Sequence, residues 1–295
     1  MIFHPFTLED QAKLAPYYAA ITYPSCEYAF ANNFLWSQHY HNTWTELEGC
    51  LVLCYPGEGP AYTVLPGSGN PKAAICALRR EAKSQGVSLR LEVSRRQWEL
   101  LQTWFPGEVS YTLHPDFGEY LYETAALQQM SGKKRHSKKT LINRFDREHT
   151  WSYESITPEN KEECLAMLSL WKQRRSQEQL AEATALDELE IDRIALTLLE
   201  PLGLAGGLLR AEGQVVGISL GEPVGGDTFV IHVEKAFSWI PGAYPMLVRE
   251  FARHAGAGYR YLNREEDLGV EGLRRSKLSY RPCAILEKGV AVFTE

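Results

Sequence analysis

Three short apolar runs separated by tight-turn residues constrain this chain more than any other feature. Gly207–Ala211, Gln214–Glu222 and Thr228–Lys235 have the length and composition of strands. Glu212-Gly213 and Gly225-Gly226-Asp227 supply the turns between them, so the runs pair as an antiparallel meander. The pattern then changes period. Tyr244–His254 reads as a helix with Leu247, Val248 and Phe251 on one side, closed by Gly256. Tyr259–Asn263 reads as a strand, Val270–Lys277 as a helix and Ala284–Phe293 as a last strand. Pro158–Arg175 and Glu182–Leu199 precede the meander as helices, the second with an acidic face.

The first half reads as a shorter version of the same order. Thr7–Ile21 has helical periodicity through Leu8, Leu14 and Tyr18, with Thr7 and Asp10 as a cap. Phe30–Trp44 is aromatic and mixed, and only partly assignable. Cys50–Tyr55 and Ala61–Leu65 are strands around the Pro56–Pro60 turn. Pro71–Gln85 is a helix ending at Gly86, Ser88–Val93 a strand and Arg95–Phe105 a helix. No residue-level repeat accompanies this similarity of pattern. A turn-rich join at His114–Gly118 divides the chain into units 1–115 and 116–295, both α+β. The second opens with the apolar run Tyr120–Tyr122.

Charge is unevenly spread. The chain carries a net −6, yet Ser131–His149 holds seven Lys/Arg against two Asp/Glu, a local +5 that leaves −11 elsewhere. Such an island suits docking of phosphate or carboxylate, or else is a solvated helix face. Leu141, Ile142 and Phe145 share one face of that helix, with Lys133, Lys134, Lys138 and Lys139 elsewhere. The overall acidity excludes a surface built to coat nucleic acid. None of the six cysteines has C-x-x-C spacing, and His39 and His41 lack a third ligand, so no metal is expected. Neither a secretory start nor an apolar run of about 18 residues occurs, so a cytoplasmic location with free thiols is expected.

Chemistry concentrates in Tyr259–Pro282. The strand ending at Asn263 runs into Arg264, Glu265, Glu266 and Asp267, and open α/β sheets place ligands at such strand ends. In the helix that follows, Arg274 and Lys277 are three apart and share a face suited to one anion. Glu271 and Arg275 form an i,i+4 surface pair, and Asp267 caps the helix. Glu265 and Glu266 point opposite ways if the strand continues. His232 and Glu234, two apart on a strand, point to one face with Lys235 on the other. They either handle an acceptor amine or form a buried polar pair.

Helices, a meander, then helix–strand–helix–strand resembles the order of the GNAT-type N-acyltransferase fold, here occurring twice. Ser131–Phe145 and Tyr261–Pro282 are similar to segments of proteins related to the C-terminal domain of phosphatidylglycerol lysyltransferase, a tandem acyltransferase fold. Fem-type peptidoglycan aminoacyltransferases are more distant relatives, in which the chain end returns to the first domain, an option open to Ala284–Phe293. The resemblance implies transfer of an activated acyl group, with aminoacyl-tRNA as donor, to an amine or hydroxyl on a small molecule or lipid headgroup. Lys277, helped by Arg274, would stabilise the oxyanion. Glu234 or Glu266 would orient the acceptor and take its proton. Asn263, Arg264, His232 and Tyr280, with Lys133, Lys134 and Lys138, would bind substrate. Lys277-Leu278-Ser279-Tyr280-Arg281-Pro282 is similar to the Lys-aromatic-x-Pro stretch beside the lysyltransferase reaction centre, with Leu in the aromatic position.

An acyl-CoA donor is the second expectation, and a non-catalytic phosphate- or RNA-binding module the third. A CoA enzyme of this fold needs a basic, glycine-rich loop after the third meander strand. Phe237–Pro245 offers one glycine, no basic residue and two prolines that lack N–H donors. Pro66-Gly67-Ser68-Gly69-Asn70-Pro71, at the matching place in the first half, reads as a turn and helix cap.

Overall fold

In the computed structural model the described residues form fourteen strands and ten α-helices. The structure describes residues 1–295 except 58, 66, 68, 178–182 and 295, and the side chains of residues 134, 175–177 and 183–187 also lie outside the description. The first half runs β1 (His4–Pro5), α1 (Asp10–Ala19), α2 (Phe30–Tyr40), β2 (Thr43–Leu47), β3 (Cys50–Tyr55) and β4 (Ala61–Val64). It continues α3 (Pro71–Ser84), β5 (Arg90–Ser94), α4 (Arg95–Trp104) and β6 (Val109–Leu113). The second half opens with β7 (Glu119–Glu123), α5 (Thr124–Gln129), α6 (His136–Glu148) and β8 (Trp151–Ser155). Next come α7 (Lys161–Gln177), α8 (Ala183–Thr197), β9 (Ala205–Ala211), β10 (Gln214–Val224) and β11 (Thr228–Ala236). The chain closes with α9 (Ala243–Arg253), β12 (Tyr261–Asn263), α10 (Glu271–Ser279), β13 (Ala284–Leu286) and β14 (Lys288–Phe293).

Two mixed sheets result. The first has the order β1-β2-β3-β4-β5-β14-β6 and the second β13-β7-β12-β11-β10-β9-β8. The expected meander is present as β9, β10 and β11, all antiparallel. In the first half β2, β3 and β4 form its counterpart. Each meander is followed by a helix and a strand that pairs in parallel with the third meander strand. The run read as a single last strand is two. Ala284–Leu286 pairs with β7, whereas Lys288–Phe293 inserts between β5 and β6. The chain thus crosses from one sheet to the other at Glu287, whose carbonyl accepts from Arg95 N–H.

One core joins the halves. Leu51 and Leu53 on β3 belong to the same buried cluster as Leu262 and Tyr280. Cys50 and Val52, on the other face of β3, pack with Ala74, Leu78 and Leu101 of α3 and α4. Burial on both faces explains why β3 reads as an unbroken apolar run. At the start of α3, Asn70 caps the helix by accepting from Ala73 N–H at 3.1 Å, as the turn reading expected. Pro66 and Ser68 of that turn lie outside the described residues.

Both parallel pairs are short. β11 and β12 match at Thr228–Tyr261, Phe229–Leu262 and Val230–Asn263, the whole of β12, so the rest of β11 runs on past the end of its partner. β4 and β5 match only at Ala61–Arg90 and Tyr62–Leu91. The first-half opening is bridged by its own polar groups: Thr63 Oγ1 donates to Glu92 O at 3.2 Å and Gln97 Nε2 to Val64 O at 3.4 Å. The second-half opening is lined differently.

Candidate functional site

Charged residues from β11 and from the loop after β12 fill the second opening. Three consecutive residues of that loop reach three different partners. Arg264 grips Glu234 through two N–H···O contacts of 3.1 and 2.5 Å. Glu265 meets His232 Nδ1 at 2.7 Å. Glu266 pairs with Lys288. The loop itself is stiffly held: Arg264 N–H donates to Tyr120 O, Tyr120 N–H to Glu265 O, and Glu265 N–H to Asn263 Oδ1. Glu265 adopts φ +54°, uncommon for a residue with a side chain and tolerated only because its surroundings fix it.

Lys277 clamps the same loop from α10. Its buried ammonium donates to Arg264 O at 2.5 Å and to Glu266 O. Two of its three N–H bonds are so used, and the ammonium also lies 5.8 Å from the Tyr120 ring centroid. Burial, and next the nearby Arg264 charge, lower the Lys277 pKa. Arg274 goes elsewhere: it binds Asp267 with two 2.8 Å contacts and Asp116 with one of 2.6 Å. The two cations expected to converge on one anion therefore have separate duties. Asp267 does not cap α10, whose N-cap is Val270. It is fully buried instead, accepting from Tyr120 Oη, Gly269 N–H and Arg274.

His232 and Glu234 do not act as a pair either. Register runs Ser219–Glu234 and Leu220–Val233, then shifts to Gly221–Ile231, leaving His232 as the extra residue of a bulge. A bulge breaks the alternation on which the shared-face expectation rested. His232 lies between Glu222, 3.1 Å from Nε2, and Glu265. Burial alone would lower the imidazole pKa, but hydrogen bonds to both carboxylates outweigh it and raise it to about 10. Lys235 faces the opposite layer, bound to Glu188 at 2.5 Å and Asp192 at 3.5 Å.

Around the Glu234–Arg264 couple the walls are aromatic and cationic. The Arg264 guanidinium lies 4.4 Å from the Tyr280 ring centroid and 5.5 Å from that of Tyr122. Lys138 of α6 lies 4.3 Å from the same Tyr280 ring, so the basic helix does reach the opening. Burial and the Arg264 charge lower the Lys138 pKa. Lys133 is exposed, and the Lys134 side chain lies outside the described residues. Ser219, cross-strand neighbour of Glu234, is fully buried, and among the described residues its Oγ has no hydrogen-bond partner; nor has Arg264 Nη1. Asn263 is sealed inside, donating to Pro24 O at 2.7 Å and to Glu119 at 2.5 Å.

The α9 N-terminus, where the fold would offer N–H groups to a pyrophosphate, is covered by α6. Gly242 has φ +93°, and a Cβ there would lie 2.4 Å from Leu141 O and 2.8 Å from Phe145 Cβ.

A second polar cluster, with partners that the sequence did not suggest, joins the sheets. Lys288 on β14 contacts Glu266, Glu27 at 2.8 Å and Glu119 at 3.0 Å. Glu119 also accepts from Ser25 Oγ at 2.5 Å and Cys26 N–H at 2.8 Å. Burial would raise the Glu119 pKa, but the Lys288 charge and these bonds hold it below the ordinary carboxylate value. Beside it is a cavity of about 120 Å³ lined by Glu27, Glu92, Glu266, Lys288, His114 and Phe117. Burial, then the Glu27 charge, push Glu92 up to about 7. Of these, only Glu266 lies in the charged run that drew attention in the sequence. Glu27, Glu92, Glu119 and Lys288 are single charged residues far apart along the chain, with no local signal.

A meander, a helix and a short parallel pair, present twice in mixed sheets, define a tandem GNAT-like acyltransferase fold. The profile described as phosphatidylglycerol lysyltransferase, C-terminal, matches residues 18–291, and the chain belongs to that family. It is similar over its whole length to a conserved protein of unknown function from Bacteroides thetaiotaomicron VPI-5482, with 34% identity, full coverage of both chains and a TM-score of 0.93. L-PGS from Bacillus licheniformis shares the fold at 14% identity, with 99% of this chain and 93% of that one covered and a TM-score of 0.68. The C-terminal domain of a putative lysylphosphatidylglycerol synthetase from Agrobacterium fabrum does so at 12% identity, covering 97% and 92%, with a TM-score of 0.67. No curated protein matches the chain. Among the described residues no helix is long and apolar enough to cross a membrane.

Proposed function

We propose that this chain transfers an activated acyl group, with aminoacyl-tRNA as the leading donor, to an amine or hydroxyl acceptor on a small molecule or lipid headgroup. The observation that carries the reading is the Glu234–Arg264 couple in the β11/β12 opening, next to a helix that supplies Lys138. The acceptor nitrogen or oxygen attacks the ester carbonyl, the bond to the ribose oxygen breaks, and that oxygen leaves with a proton. Glu234 takes the acceptor's proton and returns it to the leaving oxygen, a role worth roughly 10²–10⁴ in rate. Arg264 orients Glu234 through its two N–H donors. Lys277 fixes the loop through two carbonyls and has its remaining N–H for the developing oxyanion. Coverage of the α9 N-terminus by α6 favours this donor over acyl-CoA, whose pyrophosphate needs those N–H groups.

The test is release of labelled amino acid from bulk aminoacyl-tRNA, with phosphatidylglycerol vesicles and a mixture of small amines as separate acceptors. Wild type should form product with one acceptor class. Glu234→Gln should lose at least a hundredfold in rate while staying folded at the assay temperature, with a lowered unfolding midpoint because the buried Arg264 charge loses its partner. Full activity in that variant, or acetyl transfer from acetyl-CoA alone, would overturn the reading.

A further inference from the structure

The loop Arg264–Glu266 is anchored from both halves of the molecule. From the second half, Lys277 binds its carbonyls. From the first sheet, Lys288 holds the Glu266 side chain, although Lys288 lies on a strand hydrogen-bonded to β5 and β6. Lys288 is buried, and it is the cation that directly contacts Glu27, Glu119 and Glu266. Glu119 in turn holds Asn263, the last residue of β12, and Asn263 Oδ1 receives Glu265 N–H. Two chains of contacts therefore run from one ammonium to the two ends of the loop. One passes through Glu266, the other through Glu119 and Asn263.

We propose that Lys288 is a positioning residue for the reaction centre: the first half of the molecule, through its inserted strand, sets the Arg264–Glu266 loop and hence the Glu234–Arg264 couple. Lys288 touches no reacting atom, and its effect passes through Glu266, Glu119 and Asn263. The cluster around it supports this duty. Four carboxylates (Glu27, Glu92, Glu119 and Glu266) surround a single ammonium, so removing it leaves buried like charges that separate by moving whatever is free to move. The cavity beside Glu266 gives that side chain room to swing away. The centrality of this loop rests on the proposed transferase reading, but the first measurement needs no turnover.

That measurement is hydrogen exchange by NMR of Arg264 Nε–H and of the Arg264 and Glu265 amides, in wild type, Lys288→Met, Lys288→Arg and Phe293→Ala. Phe293 lies on the same strand, in the core beneath α3 and α4, and does not contact the loop. Urea is adjusted so that all four proteins have equal global stability. Lys288→Met should exchange at least tenfold faster at the three loop sites, Lys288→Arg should recover most of the protection, and Phe293→Ala should match wild type. Equal exchange in Lys288→Met and Phe293→Ala would overturn the proposal. In the transfer assay Lys288→Met should then lose kcat at least tenfold with KM within twofold. If wild type transfers nothing, the transferase reading falls while the exchange result still decides the positioning role. If wild type transfers and Lys288→Met keeps its kcat, the positioning role falls alone.

Discussion

Replacing His232 with glutamine isolates the energetic weight of the bulge on β11. The imidazole is buried between Glu222 and Glu265 and titrates at about 10, against 6.5 when free. Its folded pKa is raised, so the stability it contributes is complete below about 6.5 and is lost as pH climbs toward 10. Between pH 7.5 and 9.5 the folded chain holds a proton that the unfolded chain does not. Stability then falls by about 1.4 kcal/mol per pH unit from this group, or roughly 2–3 kcal/mol across the interval. His232→Gln carries no such proton. The assay is urea unfolding of both proteins at half-unit steps of pH, with linear extrapolation to water. Groups common to both cancel in the difference, so the gap between the curves should shrink by roughly 2–3 kcal/mol from pH 7.5 to 9.5. Parallel curves would refute the charged-imidazole argument.

Other substitutions probe the remaining contacts. Gly242→Ala forces a side chain into φ +93° and against the Leu141 carbonyl, and should cost at least about 2 kcal/mol by calorimetry. Lys288→Met should destabilise by about 3–5 kcal/mol at pH 8, because it strands buried carboxylates. The deficit should shrink at pH 5.5 as Glu27 and Glu92, both raised by burial, take up protons; a deficit independent of pH would contradict the charge argument. Tyr122→Phe removes the 2.8 Å bond to Lys277 O and should cost about 0.5–1.5 kcal/mol in urea unfolding.

What the sequence disclosed follows from where each signal lies. The meander was legible because Glu212-Gly213 and Gly225-Gly226 mark its turns and its strands are apolar. Val109–Leu113 alternates Val, Tyr and Leu with Ser and Thr, but none of its residues is buried and the run leads straight into the turn-rich join at His114–Gly118, which masked it. Thr43–Leu47 was absorbed into the aromatic stretch of α2, which ends at His41 in a left-handed conformation that nothing local announces. Trp151–Ser155, on the sheet edge, was hidden behind the basic helix. In the site, Arg264, Glu234, Tyr280 and Lys138 were all named and do lie together, but spacing alone could not give their partners. The shared face of His232 and Glu234 failed because a bulge is a property of two strands and cannot be seen in one, whereas the alternative of a buried polar group satisfied by neighbours holds for His232. Lys288 and Glu119 lie far apart along the chain, so their contact was invisible to any local pattern.

The crossing at Glu287 bears on how the molecule comes to be folded at all. The first sheet needs Lys288–Phe293 between β5 and β6, yet these residues leave the ribosome after every strand of the second sheet. Until then β5 and β6 each present an open edge, and the earlier half persists as an unfinished template able to recruit a strand from elsewhere. Closing it brings Lys288 back to Ser94 across most of the chain, a slow, high-contact-order step. Completion of the earlier half is therefore timed by synthesis of the later one, and chaperone capture or swapping of this strand between copies would act in that interval.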